Sequence, residues 1–105
     1  MVRAIATAGA LAVLGAASLS PALGQSPTDF YKSKQIAVVI GSDAGGGYDA
    51  YGRLVARHLG KHIAGNPTII PQNMPGAGQT KAAGYVYSVA PKDGTAIAEI
   101  GRAHV

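Results

Sequence analysis

Two glycine-rich turns, Gly45-Gly46-Gly47 and Gly76-Ala77-Gly78, each stand between a strand-like run and a helix-like run. The first strand-like run, Gln35–Ile40, closes on Gly41 and is continuously rather than alternately apolar, which fits a strand buried on both faces. Residues 48–63 follow helical spacing, with Tyr51, Leu54, Val55, His58, Leu59 and His62 on one face and Arg53, Arg57 and Lys61 on another. The spacing predicts that the first set packs and that the cations form a solvated face. Asp49 falls in the first turn of this helix, where the dipole favours a negative charge, and it is placed to pair with Arg53 at i+4. Gly65-Asn66-Pro67 is the stop signal.

Thr68-Ile69-Ile70 opens a second strand, which Pro71 makes short or irregular because proline lacks a ladder donor. A second helix is predicted over 80–89, with Ala82, Tyr85, Val86 and Val89 on its inner face, ended by Ala90-Pro91. Lys92-Asp93-Gly94 is a turn signal, and residues 96–100 form a third strand. Residues 25–34 are a polar lead-in. The expected fold class is α/β, a parallel βαβαβ unit with right-handed crossovers and its loops at the carboxyl ends of the strands.

The start of the chain has a different character. Arg3, an uncharged run over 4–17 rich in Ala, Leu and Val, and the small residues Ala22-Leu23-Gly24 read as a secretory signal peptide over 1–24. A membrane anchor would need roughly 20 apolar residues. The chain is therefore expected to be secreted, with no stable membrane insertion after cleavage. The remainder, 25–105, is mildly basic and contains no cysteine, which excludes disulfides and thiolate metal sites. Its positive charges are too few and too scattered to point to nucleic acid. A parallel sheet needs cover on both faces, and a segment this short has little core, so 25–105 reads as the N-terminal piece of a longer protein.

Glycine at a strand-to-helix turn has a structural role with or without a ligand. Two such turns at successive strand ends favour the second use: unblocked N–H groups at two helix starts, converging on a small anion such as a carboxylate. Competing chemistries fit less well. Gly45-x-Gly47-x-x-Ala50 satisfies the loose dinucleotide pattern, yet the next strand ends in Gln72-Asn73-Met74 without the acid that would hold a ribose. A nucleotide-dependent α/β enzyme is thus the alternative, and an inactive truncated product a further one. His58 and His62 share a helical face but lack an intervening glutamate, so they read as structural rather than metal-binding. Ser42 and Asp43 lie outside any nucleophile-elbow sequence. No catalytic residue, metal site or cofactor is expected.

The ordered series Gly45-Gly46-Gly47-Tyr48-Asp49-x-Tyr51, Arg53-Leu54-x-Ala56-Arg57-His58, Gly65-Asn66-Pro67, Gln72-Asn73-Met74-Pro75-Gly76-Ala77-Gly78 and Ala90-Pro91-Lys92-Asp93-Gly94-Thr95 resembles the start of the Bug-type receptors. These are the extracytoplasmic solute-binding proteins of the tripartite tricarboxylate transporter family. The resemblance covers about residues 30–100. It implies a two-lobed, type II-like periplasmic binding fold, of which this chain supplies the first part of one lobe. It also implies capture of a small carboxylate, such as a di- or tricarboxylate, for a membrane permease. On this basis the expected ligand-binding residues are Gly45, Gly46, Gly47, Tyr48 and Asp49 in the first loop and Asn73, Pro75, Gly76, Ala77 and Gly78 in the second. The chain departs from the family pattern at Gln79, where Gly or Ser is usual, and at Asp43, beside the first loop. Gly52 and Ala64 stand where Ala and Pro are usual.

Overall fold

The computed structural model describes residues 23–101. Most of the expected signal segment therefore lies outside the described residues. The elements are α1 (Pro27–Tyr31), β1 (Gln35–Ile40), α2 (Gly47–Leu59), β2 (Thr68–Asn73), α3 (Thr80–Ser88) and β3 (Ala96–Glu99). Short turns at Gly60–His62 and Ala77–Gln79 separate them further. The three strands form a parallel sheet in the order β2-β1-β3. The α/β expectation is met, element for element, apart from α1. That short helix was hidden in the polar lead-in and is capped by Ser26, whose hydroxyl oxygen accepts from the Asp29 N–H at 3.1 Å.

β1 is central, and Ile36, Val38, Val39 and Ile40 are all buried. Each such side chain contributes about 1.5–3 kcal/mol on leaving water. Side chains alternate along a strand, so Ile36, Val38 and Ile40 share one face and Val39 takes the other. A Cβ built on Gly52 would lie 2.7 Å from both Cδ1 and Cγ1 of Ile40, which identifies the Ile40 face as the one covered by α2. α2 packs on β1 and β2, and α3 packs on β1 and β3. The crossover from β1 to β2 and the crossover from β2 past β1 to β3 run in opposite directions along the sheet, and right-handed connections then place α2 and α3 on opposite faces. Ala82 of α3 and Ala90 just beyond it are buried.

Both helices differ in detail from the reading of their spacing. In α2 the buried positions are Asp49 and Gly52, with Ala56 and Leu59 half-buried, whereas Tyr51, Leu54, Val55 and His58 are exposed. The helix is rolled because the missing Cβ at Gly52 allows close approach to Ile40, and because Asp49 is bonded inward. It also ends at Leu59, which leaves His62 in the following turn, exposed. In α3, Ala82 packs as expected and Tyr85 and Val86 are half-buried, but Val89 lies past the helix end and is 70% exposed. β2 is regular through Pro71, which is in register with Val38. As an outer strand of the described sheet, β2 tolerates proline. Among the described residues, no helix is long and apolar enough to cross a membrane.

Candidate functional site

The strands end level with one another. The Met74 N–H donates to the Ile40 carbonyl at 2.8 Å, and the Gly41 N–H donates to the Glu99 carbonyl at 3.0 Å. Parallel pairing therefore brings both glycine-rich loops to one rim of the sheet, as the sequence required of an anion site.

Side chains lock the two loops side by side. Asn73, the last residue of β2, donates through Nδ2 to the Ser42 carbonyl at 3.0 Å and to Asp49 Oδ1 at 2.8 Å. Asp49 Oδ2 accepts the Gly45 N–H at 2.9 Å. Arg53 donates from Nε to Asp49 at 3.0 Å and from Nη2 to Asn73 Oδ1 at 2.7 Å. The Asp49–Arg53 pair at i+4 is therefore present, and Arg53 serves as a clamp between elements rather than as a free surface cation. Asp49 is only 5% exposed. Its carboxyl is held below the ordinary aspartate range, first by the Asn73 hydrogen bond, then by the Gly45 N–H, with the Arg53 contacts adding to it.

This changes the roles within the first loop. The Gly45 N–H is engaged by Asp49, and the Asp49 carboxylate faces inward, so both residues shape the turn. Gly45 adopts φ +96°, a conformation that glycine allows without a Cβ clash. Gly46 and Gly47 begin α2, with no side chain capping the helix there. Gly46 and Gly47 are exposed, and a Cβ at either would meet nothing within 4 Å. Tyr48 lies across Gly101: a Cβ at Gly101 would fall 2.2 Å from the Tyr48 ring. Asp43 is exposed and faces solvent.

The second loop is a left-handed turn. Gly76, Ala77, Gly78 and Gln79 have φ of +140°, +48°, +60° and +73°. For Ala77 and Gln79, which carry a Cβ, this region costs about 1–2 kcal/mol per residue. The turn is closed by the Gln79 N–H donating to the Gly76 carbonyl at 3.0 Å, while the Thr80 hydroxyl donates to the Ala77 carbonyl at 2.6 Å. Gln79 Oε1 also accepts the Gly101 N–H, tying this loop to the exit of β3. Pro75, Gly76, Ala77 and Gly78 are exposed along the rim.

Several residues of this rim escaped the sequence reading. Glu99 ends β3 beside Ile40, with Oε2 buried and unpartnered, and the Ser42 hydroxyl is likewise buried without a partner. Burial, with the charge of Asp49 adding to it, pushes the Glu99 carboxyl up. No sequence motif marks Glu99, because its surroundings come from β1 and α2. The histidines expected to pack, His58 and His62, are both exposed. Among the described residues no group of three or more His, Cys, Asp or Glu side chains is placed to hold a metal.

The architecture belongs to the parallel α/β class, in which ligands sit outside the carboxyl ends of the strands. Within that class the chain is similar to the UPF0065 protein in the gbd 5′ region of Cupriavidus necator, with 38% identity over 96 residues. The alignment covers 91% of this chain and 28% of that relative, so the chain spans little more than a quarter of the relative's length. No protein-family model matches the chain.

Proposed function

We propose that this chain is the N-terminal part of a Bug-type solute-binding receptor that captures a small carboxylate, a di- or tricarboxylate or related organic acid, for a tripartite tricarboxylate transporter. One observation carries the reading. Asn73 and Asp49 fasten the two strand-to-helix loops into a single rim, which carries both the uncapped start of α2 at Gly46 and Gly47 and the exposed turn of residues 76–78. An anion is favoured at a helix start by the dipole and by N–H groups that lack intrahelical partners. Similarity to a UPF0065 protein, a designation that belongs to the Bug receptors, supports the same reading.

In this role the protein is a binding protein rather than an enzyme and uses no cofactor. The first 24 residues direct it to the periplasm, and the membrane permease of the transporter is its partner through the whole receptor. Asp49, Gly45 and Asn73 hold the loop geometry, while Gly46, Gly47, Ala77 and Gly78 present backbone to the ligand, flanked by Tyr48, Pro75 and Gly76. Calorimetric titration of the full-length receptor tests the assignment. Heat of binding with a di- or tricarboxylate is expected; binding of NAD or ATP with no response to any carboxylate would overturn it.

A further inference from the structure

Gln79 stands outside the set of residues just assigned, yet its side chain is the most conspicuous occupant of the rim. The chain steps from β1 out to β2 and then back across β1 to β3, so the strand order reverses beside the central strand, which is the condition for a ligand crevice there. On the β1/β3 side that crevice is filled. A Cβ built on Gly41 would lie 2.9 Å from Gln79 Cβ, 3.3 Å from Gln79 Oε1 and 3.3 Å from Ile100 Cδ1. Gly41 is thus the residue type that leaves room for Gln79. The Gly101 N–H, the first amide beyond Ile100, donates to Gln79 Oε1. The Gly101 N–H is thereby engaged within the chain by a side-chain oxygen.

The backbone adds to this. Gln79 is held at φ +73°, where a glycine would sit without strain. Its side-chain contacts with Gly41 and Gly101 therefore persist against the conformational preference of the residue.

We propose that Gln79 is a specificity-determining residue: by filling the β1/β3 crevice and occupying the Gly101 N–H, it confines the ligand to the β1/β2 side and excludes bulkier acids. This rests on the carboxylate-receptor reading above. Removing the side chain opens the crevice and frees one further amide donor for an additional acid group.

The test compares wild type, Gln79→Gly and Gln79→Leu in the full-length receptor, titrated with succinate and with citrate. Gln79→Gly is expected to raise the affinity for citrate relative to succinate by about tenfold or more, the scale on which a change in pocket shape discriminates ligands. Gln79→Leu, which fills the space but offers no acceptor, should show no such gain. A ratio that stays within about twofold in Gln79→Gly, while wild type binds, overturns the proposal alone. A wild type that binds neither probe nor any other small carboxylate removes the receptor reading and this proposal together. Amide exchange supplies a readout that needs no ligand. The Gly101 N–H should exchange about tenfold or more faster in both variants, as expected when its bonded partner is lost. Unchanged exchange in both would also overturn the proposal.

Discussion

Asn73 and Asp49, 24 positions apart in sequence, meet at 2.8 Å, with the Asn73 amide donating to the Asp49 carboxylate. The same amide nitrogen reaches the Ser42 carbonyl, and the Asn73 oxygen accepts from Arg53. A residue at the end of β2 thus fixes the start of α2. The spacing of the two loops is set by side chains and not by the turns alone.

Removing that junction should loosen the rim. Asn73→Ala is expected to lower the urea midpoint, because it leaves the inward-facing Asp49 carboxylate with fewer donors. In a double-mutant cycle Asn73→Ala and Asp49→Ala should cost less together than the sum of the two singly, since they share one network. Strict additivity would show that the contact contributes nothing to stability.

Acid should find the same weak point. The Asp49 carboxyl is depressed in the folded protein by Asn73, Gly45 and Arg53. Its contribution to stability is therefore full above the unfolded value, near 3.8, and is lost as pH falls through the lower folded value. Denaturation curves taken down through the carboxylate range should show a smaller loss of stability in Asp49→Asn than in wild type. Asp93, depressed chiefly by the Thr95 hydroxyl, adds to the same acid limb.

Glu99 has the opposite sign. Its carboxyl is raised by burial and by Asp49, so stability is highest below its ordinary value of 4.5 and declines as pH rises through the folded value. Glu99→Gln should raise the melting temperature at neutral pH and leave it nearly unchanged in acid. An equal shift at both pH values would point to a cause other than ionisation.

Gly52→Ala pits two effects against each other. Alanine gains about 1 kcal/mol of helix propensity over glycine. The new Cβ, however, would meet the fully buried Ile40 at 2.7 Å, and overpacking of a tight core costs about 1–3 kcal/mol. A net loss of stability is expected, partly recovered by adding Ile40→Val, which removes Cδ1. A more stable Gly52→Ala would mean that α2 shifts freely on the sheet.

The rim glycines divide by backbone conformation. Gly46 sits at φ −85° with nothing within 4 Å of an added Cβ, so Gly46→Val should fold normally and lose carboxylate affinity by blocking close approach. Gly78 has φ +60°, so Gly78→Val should lose both affinity and stability. Full affinity in a folded Gly46→Val receptor would remove the first loop from the site.

Gln35–Ile40 by itself announced a strand buried on both faces, because no alternation was left to assign a wet side. The two glycine turns announced where helices begin, and right-handed crossovers then left one arrangement for the loops. Short-range pairing was legible too: Asp49 and Arg53 are one helical turn apart, and they meet. What tertiary structure decided was orientation. The stripe of Tyr51, Leu54, Val55 and His58 has helical period, yet α2 turns Gly52 and Asp49 to the sheet instead. Periodicity fixes which residues share a face, but the face that packs depends on where a backbone can come closest and where a carboxylate finds donors. Those donors, Asn73 and Gly45, come from different segments, as do Gln79 and the Gly101 amide that it accepts. Contacts between residues far apart along the chain exist only after the sheet has brought them to one rim, and no local pattern encodes them.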